Sequence, residues 1–169
     1  MPSSASVFKK YPNLYFIESG TYQGDGVQQA IEAGFQNIIS IESNETYFAQ
    51  VQNRFKSSNV KIIQGKAQHV LWNIIENIRN PITFWLDGHC DDADPIIQEL
   101  SIIAKHPIKT HIILIDDIRL YRKGVLLDSE HHKPVILPTI QAFLRQININ
   151  YKYAFDDGYV KDDILVAYP

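Results

Sequence analysis

Acidic residues and glycines alternate in one short stretch near the amino terminus. Glu18 follows an apolar run, the glycines Gly20, Gly24 and Gly26 come next, and a second apolar run ends at Glu42. Glycines in a turn let a ligand approach the backbone closely, and a helix that starts there offers free N–H groups. An acid 22 residues after Gly20 (42 − 20) can accept hydrogen bonds from ribose hydroxyls. The pattern predicts a nucleoside-type cofactor site, with a tight turn that binds no ligand as the alternative.

The charge of the glycine turn bears on which cofactor it could bind. Its spacing differs from the G-x-G-x-x-G pattern of dinucleotide sites, and it carries Asp25 but no lysine or arginine. An anionic pyrophosphate would meet Glu18 and Asp25, whereas a cofactor with a sulfonium and an amino group would be attracted to them. The turn therefore favours a cationic cofactor over NAD.

A second group of acids follows two later apolar runs. Asp87 comes after residues 82–86, and Asp116 and Asp117 come after residues 111–115. If these runs are parallel strands, their carboxyl ends meet at one crevice, so the three side chains should lie close together. Three carboxylates without a nearby base require either a proton or a cation between them, and an all-oxygen set suits Mg²⁺. The alternative is that each aspartate caps the turn that follows it.

Strand and helix patterns alternate along the chain, which indicates an α/β fold. The predicted strands are residues 14–17, 38–41, 60–64, 82–86 and 111–115, and the predicted helices lie near 27–34, 44–57, 67–78, 95–107 and 137–147. Two final strands, 151–155 and 164–167, are joined by a connection too short for a helical crossover, so they must be antiparallel. We therefore predict a doubly wound, mostly parallel seven-stranded sheet with a C-terminal antiparallel hairpin. The basic segment 118–138 is expected to be irregular, as a substrate lid or a solvated loop.

Composition narrows the class of protein further. The chain has 169 residues, of which 45% are hydrophobic and 21% charged, and its net charge is −3. We predict a single domain over residues 1–169 that binds neither nucleic acid nor membrane. Cys90 is the only cysteine, which favours a reducing compartment, and we expect a cytoplasmic protein. A homo-oligomer is one option that the sequence leaves open.

The spelling Glu18-x-Gly20-x-Tyr22-x-Gly24 resembles the first motif of class I methyltransferases that use S-adenosylmethionine. It is most similar to the cation-dependent O-methyltransferases of the catechol and caffeoyl-CoA type. The acids after strands four and five resemble the metal ligands of that group, and come closest to the macrocin-type sugar O-methyltransferases. The antiparallel hairpin also resembles the Rossmann-like methyltransferase fold.

This resemblance implies a function and a set of site residues. The protein is expected to transfer a methyl group from S-adenosylmethionine to a hydroxyl of a small polar or sugar-like acceptor, with Mg²⁺ on that hydroxyl. The metal ligands would be Asp87, Asp116 and Asp117. The cofactor-binding residues would be Glu18, Gly20, Thr21, Tyr22, Gly24, Gly26, Glu42, Ser43, Gly65, Ala67 and Asp87.

His89, two residues beyond Asp87, is a candidate general base, and Asp87 is the second catalytic candidate. A hydrogen-bonded loop histidine is the alternative for His89. Trp72 and Trp85 are expected in the core. Two other functions stay open: a non-catalytic cofactor-binding or assembly module, and an NAD-dependent oxidoreductase, although no Tyr-x-x-x-Lys pair is present.

Overall fold

A seven-stranded sheet forms the centre of the protein. The computed structural model describes residues 5–56, 59–88 and 93–169. The strands are β1 (Tyr15–Ser19), β2 (Asn37–Glu42), β3 (Val60–Gln64), β4 (Ile82–Leu86), β5 (Ile112–Ile115), β6 (Lys152–Asp156) and β7 (Ile164–Tyr168). Their order across the sheet is 3-2-1-4-5-7-6. Strands β1 to β5 are parallel, and β7 runs antiparallel to both β5 and β6. The predicted fold class, including the C-terminal hairpin, is confirmed.

Helices cover both faces of the sheet. They are α1 (Ala5–Lys9), α2 (Asp25–Ala33), α3 (Glu45–Arg54), α4 (Ala67–Ile75), α5 (Ile96–Lys105), α6 (Ile118–Lys123) and α7 (Leu137–Ile147). Alternate strand residues face opposite cores: Phe16 packs with α1, α2 and α3, whereas Ile17 packs on the side of α4, α5 and α7. The carboxyl ends of β1 and β4, where the strand order reverses, are thus left uncovered by the crossover helices.

Side chains cap the first turns of two helices. The Asn44 side chain accepts hydrogen bonds from the first N–H groups of α3, and the Asp94 carboxylate accepts one from Ile96 N at 2.8 Å. Helix α4 ends at Ile75, three residues before its predicted end. The side chain of the buried His106 contacts the carbonyl of Ile75, the last residue of α4, and that of Ile78, which follows the helix.

Two sequence predictions about individual regions are wrong. Segment 118–138 is ordered: it contains α6 and a two-residue strand, Leu127–Asp128, that pairs in parallel with Ala93–Asp94. Its apolar side chains Ile118, Tyr121, Leu126 and Val135 are buried in the core, which explains the order. Trp85 is buried as predicted, but Trp72 is 36% exposed on α4. None of the described helices has the length and apolar character needed to cross a membrane.

Candidate active site

The glycine turn after β1 is packed directly against the end of β4. Gly20 has a φ of 83°, and a Cβ at this position would lie 2.2 Å from the carbonyl oxygen of Asp87. The Gly20 N–H also donates to Ile41 O at 3.0 Å, which ties the turn to β2. Only glycine combines this backbone conformation with so close an approach. The turn therefore joins the ends of three neighbouring strands.

Gly26 makes room for the Glu18 carboxyl group. A Cβ on Gly26 would lie 1.9 Å from Glu18 Oε1, so this side chain lies against the first turn of α2. The other oxygen, Oε2, accepts a hydrogen bond from Ser40 Oγ, and Ser40 is bonded in turn to Thr21 Oγ1. All three side chains are buried. Ser40 was not predicted as a site residue, although its place opposite Glu18 on β2 follows from the parallel register.

Burial raises the pKa of Glu18 well above its ordinary value. The hydrogen bond from Ser40 counteracts this effect in part, while the neighbouring carboxylates of Asp87, Glu42 and Asp25 raise the pKa further. A cation placed beside Glu18 would favour its ionised form. The group is therefore suited to a positively charged ligand.

A cavity of about 320 Å³ opens at the carboxyl ends of β1, β4 and β5. Six of the predicted cofactor residues line it: Glu18, Gly20, Thr21, Tyr22, Gly26 and Asp87. Gln23, Trp85, Arg119 and Tyr159 also line the cavity and were not predicted as site residues. The rings of Tyr22 and Tyr159 form an exposed aromatic rim.

A second cavity, of about 310 Å³, adjoins the first at Gly20. The predicted residues Ser43, Gly65 and Ala67 line it, as does His132 of the 118–138 segment. The predicted cofactor residues are thus distributed over two neighbouring cavities, one lined by acids and one largely uncharged. His132 shows that the 118–138 segment contributes to the wall of this second cavity.

Two predicted cofactor residues, Gly24 and Glu42, line neither cavity. Gly24 is needed for packing, because a Cβ there would lie 2.6 Å from the ring of Phe55. Glu42 holds the glycine turn in place: its carboxylate accepts the N–H groups of Tyr22 and Asn44, each at 2.7 Å. An ionised carboxylate has further lone pairs, so these bonds leave acceptor capacity for a ribose hydroxyl.

Three carboxylates meet where β5 ends and β7 begins. Asp116, Asp117 and Asp163 each offer an oxygen within 4.8 Å of the others, and among the described residues no such group of three includes Asp87. Asp163 was not among the predicted metal ligands. Because β7 is antiparallel to β5, an acid that precedes β7 lies at the same edge of the sheet as the acids that follow β5. In the sequence, the adjacent acids Asp162 and Asp163 in the loop between β6 and β7 could have indicated this contribution.

The expectation that no base neutralises these acids is wrong. The guanidinium group of Arg119 contacts the carboxylates of both Asp117 and Asp163, and its backbone N–H donates to Asp163 Oδ1 at 2.9 Å. The guanidinium carbon lies 5.0 Å from the centre of the Tyr159 ring, a cation–π distance. Asp117 adopts a left-handed conformation with φ 55°, which turns the chain sharply from β5 into α6.

Asp116 differs from its neighbours because one of its carboxylate oxygens has no hydrogen-bond partner among the described residues. It is 6% exposed and lines the first cavity, yet its buried Oδ1 has no hydrogen-bond partner among the described residues. Burial raises the pKa of Asp116 to about 6, and the charges of Asp117 and Asp163 raise it, whereas a backbone hydrogen bond and Arg119 lower it. Asp116 therefore contributes to the cavity wall and has one buried oxygen with unused acceptor capacity.

The donor set does not fit the predicted Mg²⁺ site. Mg²⁺ requires near-octahedral oxygen ligands at about 2.0–2.1 Å. Asp163 and Asp117 are engaged by the Arg119 guanidinium, and Asp87 lies outside the group. His89, the predicted general base, lies outside the described residues and stays a prediction.

Comparison with known proteins gives matches in structure only. No protein-family model and no curated protein matches the sequence. The O-methyltransferase TomG from Streptomyces achromogenes, solved with S-adenosylmethionine, matches 97% of this chain over 76% of its own, with a TM-score of 0.66 and 13% identity. An O-methyltransferase from Bacillus cereus, solved with S-adenosylhomocysteine, matches 98% of this chain over 78% of its own (TM-score 0.68, 15% identity).

A third structure, described as a candidate S-adenosylmethionine-dependent methyltransferase from Listeria monocytogenes, matches 96% of this chain over 94% of its own. Its TM-score is 0.63 and its identity 12%. These similarities show that the chain has the fold of the class I S-adenosylmethionine-dependent methyltransferases, O-methyltransferases among them, as the motifs predicted.

Proposed function

We propose that this protein transfers the methyl group of S-adenosylmethionine to a hydroxyl oxygen of a small polar or sugar-like acceptor. One catalytic domain over residues 1–169 would carry out the reaction. The observation that carries the proposal is the pair of adjoining cavities at the carboxyl end of the parallel sheet, which meet at Gly20. Structural neighbours with this fold that were solved with S-adenosylmethionine and S-adenosylhomocysteine support it.

The two cavities fit the two parts of this cofactor. Glu18, Asp25 and Asp87 give the first cavity an acidic wall, which suits a sulfonium and an amino group. Among the described residues, the second cavity has no acidic residue in its lining, and Gly65 and Ala67 flank the cationic Lys66 there, which suits a nucleoside. An anionic pyrophosphate would be repelled by the same acids, which argues against an NAD-dependent oxidoreductase. When bound, S-adenosylmethionine supplies an electrophilic methyl group.

The acceptor hydroxyl is proposed to lie beside Asp116. The carboxylate of Asp116, which lines the first cavity, can accept the hydrogen bond of a hydroxyl and then take its proton as the oxygen attacks. Tyr22 and Tyr159 would cover the acceptor and exclude water. The predicted catalytic roles of Asp87 and His89 remain proposals, since Asp87 lines the same cavity and His89 follows it by two residues.

Calorimetric titration of S-adenosylmethionine, S-adenosylhomocysteine and NAD tests the cofactor. We expect micromolar binding of the first two and none of NAD. Ser43 is an exposed residue at the wall of the second cavity, so Ser43→Trp should fill the cavity and abolish binding. Thr46→Trp, on the exposed surface of α3, is the matched control and should bind normally.

Two outcomes would contradict the proposal. Binding of NAD alone would favour an oxidoreductase, and a folded protein that binds none of the three would favour a non-catalytic module. If the cofactor binds, a panel of sugars and phenols can be screened for formation of S-adenosylhomocysteine. Asp116→Asn should then bind the cofactor normally but lose transfer.

A further inference from the structure

The acidic cluster formed by Asp116, Asp117 and Asp163 already contains a cation, which belongs to the protein itself. The Arg119 guanidinium contacts Asp117 and Asp163, and the Tyr159 ring lies 5.0 Å from it. Arginine is charged at every pH at which a protein is folded, and its planar group matches carboxylate geometry. We propose that Arg119 takes the place of the predicted Mg²⁺, so that the site works without a divalent metal ion.

The remaining oxygens are too few for a metal. Asp163 is fully buried, and Arg119 reaches both of its oxygens, one through the backbone N–H and one through the guanidinium. Asp117 is held by the same guanidinium through Oδ1. Within this cluster, and among the described residues, Asp116 Oδ1 is the buried oxygen without a hydrogen-bond partner, so a divalent cation would have to compete with the Arg119 guanidinium for Asp117 and Asp163. The N–H groups of Arg119 cannot coordinate a metal and would repel it.

Replacement of a divalent ion by an arginine changes which acceptors the site can activate. A metal-assisted site activates a hydroxyl by coordinating it. A site with Arg119 would instead leave activation to Asp116, so the acceptor would need one hydroxyl rather than two oxygens that chelate a metal. This inference rests on the proposed function, because activation of an acceptor matters only if methyl transfer takes place in this cavity.

The test measures cation binding directly on the full chain, by titration of Mn²⁺ alone with paramagnetic and calorimetric detection. The wild type should show no stoichiometric Mn²⁺ binding up to about 1 mM, the weak end of protein cation sites. Arg119→Gln removes the charge but keeps hydrogen-bond donors, and it should gain one bound Mn²⁺. The double variant with Asp163→Asn should lose that ion again. Arg122→Gln is the matched control: this arginine stacks on Phe155 and should have no effect.

Stoichiometric binding of Mn²⁺ to the wild type would overturn the inference. So would a folded Arg119→Gln variant that fails to gain Mn²⁺, because the arginine would then not be what keeps the cation out. If Arg119→Gln does not fold, the wild-type titration still tests the inference, because stoichiometric Mn²⁺ binding would overturn it and its absence would support it. Titration of S-adenosylmethionine in the same preparations, with and without a chelator, tests the proposed function separately. A wild type that does not bind the cofactor under either condition would refute that function, whereas the Mn²⁺ result stands on its own.

Discussion

Two buried polar clusters lie at opposite ends of the strands of the sheet, and they are built differently. At the amino ends, His106 and His111 are completely buried next to the starts of β4 and β5. At the carboxyl ends, Glu18 and Asp116 are nearly as deeply buried. Burial of polar groups is costly at both ends of the strands unless hydrogen bonds compensate for it.

The histidine pair is fully compensated. Ile82 N–H donates to His111 Nδ1, which places the His111 proton on Nε2, where it meets His106 Nδ1 at 3.0 Å. His106 Nδ1 also accepts the Ile108 N–H, so the His106 proton lies on Nε2 and points to the last carbonyls of α4. Every ring nitrogen therefore has a partner. Such a network connects β4, α4 and α5 and rigidifies them.

The cluster at the carboxyl ends of the strands lacks such a complete set of hydrogen-bond partners. Ser19 Oγ and Asp116 Oδ1 are buried without a partner among the described residues, and the pKa of Glu18 is raised by its burial. Unsatisfied polar groups in a native structure call for an explanation, and a catalytic role is one. The comparison indicates that the histidine cluster supplies stability, whereas the cluster at the carboxyl ends of the strands costs stability, as is expected of the proposed ligand-binding site.

The largest effect is expected from removing a member of the histidine pair. His111→Ala leaves a cavity and an unpartnered N–H on Ile82, which should lower the free energy of unfolding by about 3–4 kcal/mol. Denaturant unfolding measures this loss. The folded variant should bind S-adenosylmethionine with normal affinity, and His69→Ala on the exposed face of α4 should change neither property. Loss of affinity without loss of stability would refute the assignment of roles.

The two clusters should also respond to pH with opposite sign. Burial lowers the pKa of His111 from 6.5 to about 3, with His106 contributing, so its stabilisation is complete above pH 6.5 and is lost as the pH falls towards 3. Asp116 has a pKa raised from 3.8 to about 6, so its contribution is present at low pH and is lost as the pH rises through 6. One group changes stability by at most about 1.4 kcal/mol per pH unit.

Unfolding of two variants between pH 4 and 6 separates these contributions. Relative to the wild type, Asp116→Asn should leave the His111 effect, so that stability rises more steeply with pH. His111→Gln should leave the Asp116 effect, so that stability rises less steeply or falls. The other carboxylates contribute equally in both variants. Parallel pH profiles for the two variants would show that the clusters do not titrate as described.

Most of the fold could be predicted from the sequence because apolar runs and glycines have local consequences. The alternation of strands and helices predicted the parallel sheet, and the short connection between the last two strands predicted the hairpin. The packing of Gly20 against β4 follows from its position in the first turn. Contacts between distant segments were harder. Asp163 joins Asp117 across 46 residues (163 − 117), and Arg119 joins them only because α6 starts with a sharp turn at Asp117.

The local sequence of segment 118–138 does not predict that this segment is folded either. Its charged and polar residues indicate a loop, but Tyr121 donates a hydrogen bond to the buried Asp94 at 2.7 Å and holds α6 against the start of α5. The histidine pair was equally hidden, since His106 and His111 look like unrelated residues flanking a lysine. Such partnerships depend on tertiary packing, which single-residue patterns do not encode.

A smaller effect is expected from neutralising Glu18. Glu18→Gln keeps the shape but removes the charge that would face a cationic cofactor, so affinity for S-adenosylmethionine should fall about tenfold or more, the value of one charged hydrogen bond. Stability should be unchanged or higher, because a costly buried carboxyl group is removed. Calorimetry and unfolding measure the two quantities. Glu32→Gln, exposed on α2, is the control, and a Glu18 variant that loses stability but keeps its affinity would place Glu18 with the histidines as a structural residue.

The smallest expected effect is the release of a fraction of a proton when the cofactor binds. A cation beside Glu18 favours its ionised form, so binding of S-adenosylmethionine should release protons and tighten as the pH rises through the raised pKa of this group. Titration in two buffers with different ionisation enthalpies measures the release. S-Adenosylhomocysteine lacks the sulfonium charge and should release less, and Glu18→Gln should reduce the release for both ligands. Proton uptake, or equal release by the two ligands in the wild type, would mean that the sulfonium does not lie beside the carboxyl cluster.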